Sequence, residues 1–297
     1  EENYMNYYDE IKNELLNNEI NKKVKNYSIN KSDLKSNYNV GKLLREAGSK
    51  YGEGIIKDYS RRLTNELGKG YTQSRLRYYR RFYDVFEKCP TLSDALSYSH
   101  YCEIIWLDIA EIKYYIEIAL KNNLTVRQLR TKVKSNEYKR LSKETRDKIK
   151  KEDSLEVKDL IPNPIMIRNK NNLEIINEKI LKKLILEDID NFLLELGNNF
   201  CYIGNEYKVK IGNRYNYIDL LLYNIEFNCY VVIELKVTEL KKEHIGQIEV
   251  YMNYIDNNIK KAYHDKTIGI LICKKENKFV IEYCSDDRIA VREYELV

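Results

Sequence analysis

Three polar residues that could perform chemistry together lie in the second half of the chain. Asp219 stands in the apolar segment YIDLLLY, and Glu234 follows 15 residues later in VVIELKV, with Lys236 two residues beyond it. Side chains two positions apart in a strand point to the same face, so Glu234 and Lys236 project together. Burying either charge among such apolar neighbours is costly without a partner or a metal ion. If the two segments pair as neighbouring strands, the two carboxylates and the ammonium group converge at one point of a sheet.

This set of groups suits metal-assisted hydrolysis of a phosphodiester. Two carboxylates and a backbone carbonyl, which we expect to be that of Leu235, supply the hard oxygen ligands that Mg²⁺ prefers. The ion would polarise the phosphate and lower the pKa of a bound water, while Lys236 would orient that water or stabilise the pentavalent phosphate. The alternative is a buried ion pair between Glu234 and Lys236 with no catalytic role. The apolar strand that carries Asp219, the hairpin and the following helix favour the catalytic interpretation.

The elements that would position these residues follow from the hydrophobic pattern. Residues 1–150 have helical spacing, and a glycine-containing break before a basic helix, from about Ser74 to Glu87, is typical of a helix-turn-helix module. Charged and proline-containing sequence predicts a linker over residues 151–170. Residues 171–297 predict one long helix that ends at Gly197 and then the order β-β-β-α-β-β, with KFVIEYC as the last strand. We therefore expect an α+β protein with an all-helical, helix-turn-helix-like domain followed by a mixed-sheet domain.

Positive charge is concentrated in the first half of the chain. The net charge of +5 divides into +9 for residues 1–150 and −4 for residues 151–297, and residues 61–81 hold seven basic side chains and one acidic one. A second basic cluster spans residues 127–150. Arginines pair with phosphates, and the aromatic residues between them stack on bases or pack beneath the helix. The alternative is a solvated basic face over an aromatic core. The candidate nucleic-acid-binding residues are Arg61, Arg62, Lys69, Arg75, Arg77, Arg80, Arg81, Arg127 and Arg130.

The composition argues against several other classes of protein. No apolar run approaches the ~20 residues that cross a bilayer, and the first residues are polar, so we expect a soluble, cytoplasmic protein. The six cysteines are too widely spaced for a zinc knuckle or a redox pair, and no small-molecule cofactor is expected. Ser97, Ser99 and His100 suggest nucleophilic catalysis, but no partner acid is evident. We interpret them as a helix cap and a packed or hydrogen-bonded histidine.

The second half resembles the PD-(D/E)XK nuclease superfamily, whose restriction-endonuclease-like core is αβββαβ with Asp and Glu-x-Lys on adjacent strands. From about Gly41 to the C-terminus, the chain resembles the YhcG-like proteins, in which a helical DNA-binding-type domain precedes such a nuclease domain. The first ~40 residues fall outside this resemblance. It is carried by eight segments in order: RRLTNELGKGYTQSRLRYYRRFY, LSYSHYCEII, LTVRQLR, FLLELGNNFCYIGNEYKV, YIDLLLY, VVIELKV, GQIEVYMNYID and GILICK.

The resemblance implies a role for each residue that matches the family motif. The motif falls on Asp219, Glu234 and Lys236 as catalytic residues, with the two carboxylates as metal ligands. It adds Gln247 and Tyr251, one helical turn apart in GQIEVY, which would flank the metal and contact nucleic acid. Tyr251 alone would be interpreted as core packing.

The resemblance also implies a more distant metal ligand and an activity. Glu195, on the helix before the sheet, would be an outer metal ligand, with an ordinary solvated glutamate as the alternative. Glu206 stands where close relatives have Gln, which leaves its role open. The implied activity is that of a Mg²⁺-dependent deoxyribonuclease, an endonuclease that also accepts Mn²⁺ and acts on DNA, and a homodimer would fit the superfamily. The alternatives are a catalytically silent DNA-binding or scaffold protein of a recombination or defence complex, and a nuclease that acts on RNA or branched DNA.

Overall fold

A computed structural model of the chain describes residues 2–24, 29–52, 54–88, 92–151, 153–197, 199–283 and 286–297. The chain divides into two compact units, Glu1–Ser135 and Asn136–Val297. Cys89 and Cys284, two of the six cysteines considered above, lie outside the described residues. Within the described ranges, no helix is long and apolar enough to cross a membrane.

The first unit is built from helices. They are α1 (Glu2–Val24), α2 (Ile29–Tyr51), α3 (Ile55–Leu67), α4 (Gln73–Phe86), α5 (Tyr98–Ile104), α6 (Ile109–Lys121) and α7 (Val126–Lys134). The apolar sides of α1 to α4 enclose a core that includes Leu44, Tyr59 and Leu76, which are inaccessible to solvent. The predicted basic helix is α4, and it begins where the side chain of Thr72 accepts a hydrogen bond from the Arg75 N–H at 3.3 Å. This cap satisfies one of the unpaired donors of the first helical turn.

A close backbone contact holds the basic helix against α2. A Cβ atom built on Gly41 would lie 2.2 Å from the carbonyl oxygen of Tyr79 and 2.8 Å from the Cβ of Tyr83. Only a residue without a side chain fits between α2 and α4 at this separation. Gly41 therefore fixes the position of α4, which carries four of the eight candidate nucleic-acid-binding arginines.

Ser97 and His100 form a helix cap, as the sequence predicts. The Ser97 N–H donates to His100 Nδ1 at 3.1 Å, and His100 Nε2 lies 2.9 Å from the carbonyl oxygen of Leu124. Because Nδ1 accepts a hydrogen bond, Nε2 carries the proton and donates to that carbonyl. The histidine thus joins the start of α5 to the turn before α7, and both of its nitrogens are used for structure.

The second unit is a mixed sheet covered by helices on both faces. Its elements are α8 (Glu137–Arg140), α9 (Lys143–Lys151), a 3₁₀ helix (Val157–Leu160), β1 (Ile165–Ile167), α10 (Glu178–Glu187), α11 (Ile189–Leu196), β2 (Phe200–Ile211), β3 (Arg214–Asn224), β4 (Cys229–Glu239), α12 (Lys242–Asn258), β5 (Ile268–Lys275), α13 (Lys278–Glu282) and β6 (Ile289–Leu296). The strand order is β1-β6-β5-β4-β3-β2, with β2, β3 and β4 antiparallel and the other pairs parallel. Helices α10 and α11 cover one face, and α12 covers the other. The predicted α+β class and its αβββαβ core are confirmed.

Several boundaries differ from those expected. The second unit begins at Asn136, and the segment predicted as a linker, residues 151–170, contains the 3₁₀ helix and β1. Strand β1 pairs in parallel with β6, whose residues lie more than 120 positions later, so no local pattern reveals it. The long helix predicted to end at Gly197 is divided at Asp188, whose φ of −138° is not helical. At this break, the carboxylate of Asp188 lies 3.3 Å from the guanidinium group of Arg168.

The prediction of a strand at KFVIEYC was wrong. Residues Lys278–Glu282 form the short helix α13, because the side chain of Asn277 accepts a hydrogen bond from the Val280 N–H at 3.3 Å and caps it. Phe279 is 75% exposed, so this segment contributes little to the core. The last strand is β6, which is formed by the segment IAVREYEL.

Candidate active site

The two predicted carboxylates meet where the ladder between β3 and β4 opens. Residue pairing runs from Asn224 opposite Cys229 to Leu220 opposite Ile233 and goes no further. Beyond that point, Asp219 Oδ2 accepts the Leu235 N–H at 3.0 Å, and the Asp219 N–H donates to Glu234 Oε1 at 3.3 Å. Carboxylate oxygens thus replace backbone carbonyls as hydrogen-bond acceptors at the end of the ladder. The structure brings Asp219 and Glu234 together at this opening.

A local irregularity in the sheet directs the Asp219 side chain into that opening. Ile218 packs with α12 and Leu220 packs on the opposite face, although residues two apart in a regular strand share a face. On the neighbouring strand, Glu206 has a left-handed φ of 47° and is skipped in the pairing of β2 with β3. The register is unchanged across this position, so Glu206 lies opposite Asp219 and the two form an unpaired step in the ladder between β2 and β3. The alternation is broken at Asp219, which therefore lies between the strands.

Glu234 and Lys236 form a buried pair on the face covered by α12. Their side chains are 2% and 10% exposed, and Lys236 Nζ lies 3.4 Å from Glu234 Oε2. Burial and then the charge of Asp219 raise the pKa of Glu234 to about 7, although Lys236 opposes the shift. A carboxylate in this environment gains stability from a nearby cation, because burial disfavours its charged form. The donor set therefore suits a divalent ion.

Lys182 is an additional charged residue of the site that the sequence analysis missed. Its Nζ lies 3.1 Å from Asp219 Oδ1 and 3.1 Å from Glu206 Oε1. Burial lowers the pKa of Lys182, but its hydrogen bonds to Glu206 and Asp219 outweigh this effect and the net pKa is raised. The sequence offers little signal for this role, because the adjacent Lys183 is an ordinary surface lysine with a side chain that is 73% exposed.

Gln247 and Tyr251 lie together on α12 at the same site. Gln247 Nε2 donates to the Tyr251 hydroxyl at 3.2 Å, and Tyr251 is 5% exposed in the core between α12 and the sheet. Burial raises the pKa of Tyr251, the Gln247 hydrogen bond opposes this, and the charge of Glu234 raises it further. The hydroxyl therefore stays protonated and lies within electrostatic range of Glu234. His244 begins the same helix, and its pKa is lowered by burial and then by the charge of Lys236.

Glu195 makes structural contacts, and none of its hydrogen bonds or ion pairs among the described residues is with the carboxylate pair. It forms an ion pair with Arg140, and its Oε1 accepts the Met166 N–H at 3.0 Å. Both members of the ion pair are nearly buried, with side chains that are 11% and 8% exposed. Across the part of the chain that the structure describes, no three His, Cys, Asp or Glu side chains lie close enough together to hold a metal ion. Through these contacts, Glu195 links α11 to α8 and β1.

Several of the candidate nucleic-acid-binding residues have acidic partners. Arg61 and Arg62 lie 2.9 and 3.9 Å from the carboxylate of Asp58. Arg130 forms two hydrogen bonds with Glu103, at 2.8 and 3.1 Å. These contacts reduce the positive charge that the three arginines offer to a polyanion.

The remaining basic candidates differ in how they are held. Arg75 Nε donates to the Tyr79 hydroxyl at 2.6 Å, and Arg81 Nε donates to the carbonyl oxygen of Ile105 at 2.8 Å. Arg80 is half-buried. Three exposed side chains have no ion-pair partner among the described residues: Lys69, Arg77 and Arg127. These three have the most charge available for phosphates.

Each half of the chain matches the model of a known protein family. The model of the YhcG PDDEXK nuclease domain matches residues 159–297, and the model of the DUF1016 N-terminal domain matches residues 11–140. The chain belongs to the YhcG-like family. Its second unit is accordingly a nuclease domain of the PD-(D/E)XK type, with a restriction-endonuclease-like fold. This confirms the resemblance found in the sequence. Its expected start near Gly41 was wrong, because the match to the DUF1016 N-terminal domain begins at residue 11.

Similar individual proteins include one curated relative and two solved structures. "Putative nuclease YhcG" of Escherichia coli (strain K12) is 22% identical over 270 residues, which are 78% of this chain and 72% of that protein. A repair endonuclease from Pyrococcus abyssi is 18% identical, with a TM-score of 0.29 over 41% of this chain and 48% of the other. An EndoMS–dsDNA complex is 20% identical, with a TM-score of 0.29 over 43% and 48%. The match spans about half the length of each solved structure.

Proposed function

We propose that this YhcG-like protein is a Mg²⁺-dependent deoxyribonuclease, acting as an endonuclease, and that the basic helical unit positions the DNA. The observation that supports this most is the meeting of the Asp219 and Glu234 carboxylates at the open end of the β3–β4 ladder, with Lys236 beside them. The exposed basic side chains of the first unit support DNA as the substrate, because nucleic-acid affinity depends largely on contacts with phosphates.

Asp219, Glu234 and the carbonyl oxygen of Leu235 would hold the ion. Each oxygen of Asp219 already accepts one hydrogen bond, from Lys182 and from the Leu235 N–H, and each retains a further lone pair. Mg²⁺ commonly binds through one or two carboxylates and completes its shell with water and substrate. When bound, it would polarise the phosphate and lower the pKa of a water molecule.

The chain itself contributes a preorganised positive charge and two hydrogen-bonding groups. Lys236 is held by Glu234 in a buried position, where its charge stabilises the negative charge that develops on the phosphate more strongly than it would in water. The Tyr251 hydroxyl accepts a hydrogen bond from Gln247, so its own proton is available to a phosphate oxygen. Gln247 orients this hydroxyl.

Cleavage of plasmid, linear, single-stranded and branched DNA and of RNA, in Mg²⁺, Mn²⁺ and EDTA, tests the proposal. Asp219→Asn keeps an acceptor for the Leu235 N–H but removes a charged ligand, and we expect cleavage to slow by about 10²–10³-fold, as for the loss of one group that stabilises a transition state. Glu187→Gln is the matched control, because it removes a half-exposed carboxylate on the surface of α10. Metal-dependent cleavage that survives Asp219→Asn at the wild-type rate would refute the site assignment.

The contact between Lys182 and Asp219 favours a second candidate, a DNA-binding scaffold without catalytic activity. The ammonium group lies 3.1 Å from an oxygen that the metal would share, and it already neutralises part of the charge there. For a scaffold, we expect tight DNA binding with no cleavage of any substrate in the panel. A preference for RNA or branched DNA in the same panel would change the substrate but retain the chemistry.

A further inference from the structure

The ribbon formed by β2 and β3 carries a basic and aromatic face beside the candidate active site. In its register, Lys208 lies opposite Tyr217 and Lys210 lies opposite Tyr215. Residues directly opposite one another in an antiparallel pair share a face, and so do residues two apart. The four side chains therefore lie on one face, which we call the Lys–Tyr face.

The packing of the other face fixes this orientation. Val209 and Ile218 are buried in the core that contains α12, and the partly buried Tyr207 and Ile211 pack against the same core. Because alternate residues of a strand point in opposite directions, the Lys–Tyr face must point away from α12. A shift of one residue in register would expose the apolar side chains instead.

The Lys–Tyr face is exposed and positively charged. Tyr215 and Tyr217 are 56% and 53% exposed, and both lysines are exposed. Lys208 Nζ lies 3.9 Å from the centroid of the Tyr215 ring, so the ring holds this ammonium group at the surface. Residues 206–218 contain three basic residues and one acidic residue, Glu206, which is paired with Lys182 at 3.1 Å. The charge of the face is therefore available to an anionic partner.

The face leads along β3 to Asp219, which lies between the strands and is contacted from this side of the sheet by Lys182 of α10, at 3.1 Å. Glu234 and Lys236 point to the opposite face, so Asp219 is where the face meets the candidate active site. Tyr217 lies two residues before Asp219, and Tyr215 lies four residues before it. At about 3.3 Å per residue, these positions are roughly 7 and 13 Å from Asp219 along the strand. A strand of nucleic acid that passed over the face would reach Asp219 within a few nucleotides.

We propose that the Lys–Tyr face binds an unpaired stretch of the nucleic-acid substrate next to the phosphate that is cleaved, an inference that rests on the proposed nuclease function. Lys208 and Lys210 contact phosphates, and the exposed ring of Tyr217 stacks on a base. An aromatic ring stacks on a base only where the base has left the duplex, since paired bases already stack on one another. The ribbon therefore favours substrates with a flap, a gap or a melted segment.

Binding of the full chain to labelled oligonucleotides in EDTA, followed by fluorescence anisotropy over a range of salt concentrations, tests this inference. For single-stranded DNA, we expect Lys208→Gln with Lys210→Gln to reduce the slope of log K against log salt by about 1.4, or 0.7 for each lost phosphate contact. The matched control is Lys183→Gln with Lys275→Gln, which removes the same charge from side chains that are 73% and 70% exposed. A slope that changes no more than in this control would overturn the inference.

Tyr217→Leu tests the stacking contact without changing charge. We expect affinity for single-stranded DNA to fall about tenfold, a typical loss for one stacked base, and affinity for a blunt duplex to stay unchanged. Equal losses on both DNAs would overturn the assignment to unpaired nucleotides. Thermal unfolding of each variant confirms that the fold is retained, and because Tyr217 is half exposed, little stability should be lost.

Cleavage in Mg²⁺ separates the failure of this inference from the failure of the proposed function. Wild-type cleavage together with wild-type binding by the double lysine variant would overturn the inference alone. Binding that depends on the Lys–Tyr face, with no cleavage of any substrate, would support the binding face and reject hydrolysis.

Discussion

Binding of a divalent ion at Asp219 and Glu234 should displace a proton near neutral pH. Burial and then the charge of Asp219 raise the pKa of Glu234 to about 7, and a carboxylate must be deprotonated to bind a metal. A group with this pKa is about nine-tenths protonated at pH 6 and about one-tenth at pH 8. The affinity for Mg²⁺ should therefore be about tenfold lower at pH 6 than at pH 8. A glutamate with an ordinary pKa of about 4.3 would leave the affinity nearly unchanged over this range.

Isothermal titration calorimetry in buffers with different ionisation enthalpies measures this proton directly. We expect about 0.9 proton released per ion at pH 6 and about 0.1 at pH 8. Glu206→Gln is the control, since it removes an exposed carboxylate near the same site and should leave this release in place. An equal proton count at the two pH values would refute the reasoning.

The same pKa predicts how stability depends on pH in the absence of metal. Because the folded-state pKa of Glu234 is raised, the folded protein binds the proton more tightly than the unfolded chain. The stability from this group is fully present below the ordinary pKa and is lost as the pH rises through 7. For a side chain that is 2% exposed, the loss amounts to as much as ~3 kcal/mol. Urea unfolding in EDTA at pH 5 and pH 8 measures it, and added Mg²⁺ should restore stability at pH 8.

Three further outcomes follow from particular contacts. Gly41→Ala should destabilise the first unit by about 1–3 kcal/mol in urea unfolding, because its Cβ would lie 2.2 Å from the carbonyl oxygen of Tyr79. Glu195→Ala should lower the free energy of unfolding by about 3–5 kcal/mol, because it leaves Arg140 buried without its carboxylate, and should change Mg²⁺ affinity little. Arg77→Ala should reduce the salt slope of duplex DNA binding by about 0.9, the loss of one phosphate contact.

Each of these outcomes has a control or a contrary result. Gly54→Ala should leave stability nearly unchanged, because nothing lies within 4 Å of the added Cβ. If Glu195→Ala retained its stability but lost much of its Mg²⁺ affinity, Glu195 would be a metal ligand rather than a structural residue. Arg130→Ala should reduce the salt slope less than Arg77→Ala, because Arg130 is already paired with Glu103. Equal reductions would show that this pairing does not limit phosphate contact.

Local patterns in the sequence were sufficient to predict most elements of the sheet unit and the approach of Asp219 to Glu234. The apolar runs around these residues predict buried strands, and buried strands that follow one another along the chain commonly pair. Strand β1 and the break at Asp188 were not predictable in this way. The first depends on pairing with a distant strand, and the second is a change in the backbone angle of one residue that the hydrophobic pattern of the helix does not record.

Sequence by itself determined which residue types the site contains and which segments are buried, because burial and backbone period are encoded locally. Tertiary structure alone decided how those groups are used. A break in the alternation of β3 places Asp219 between two strands. Lys182 contacts Asp219 from a helix 37 residues earlier in the chain, whereas the chemically identical Lys183 lies at the surface. Glu195 is engaged by Arg140 because α11 packs near α8. Such contacts depend on how distant segments pack together, and the local hydrophobic pattern of the sequence does not encode that packing.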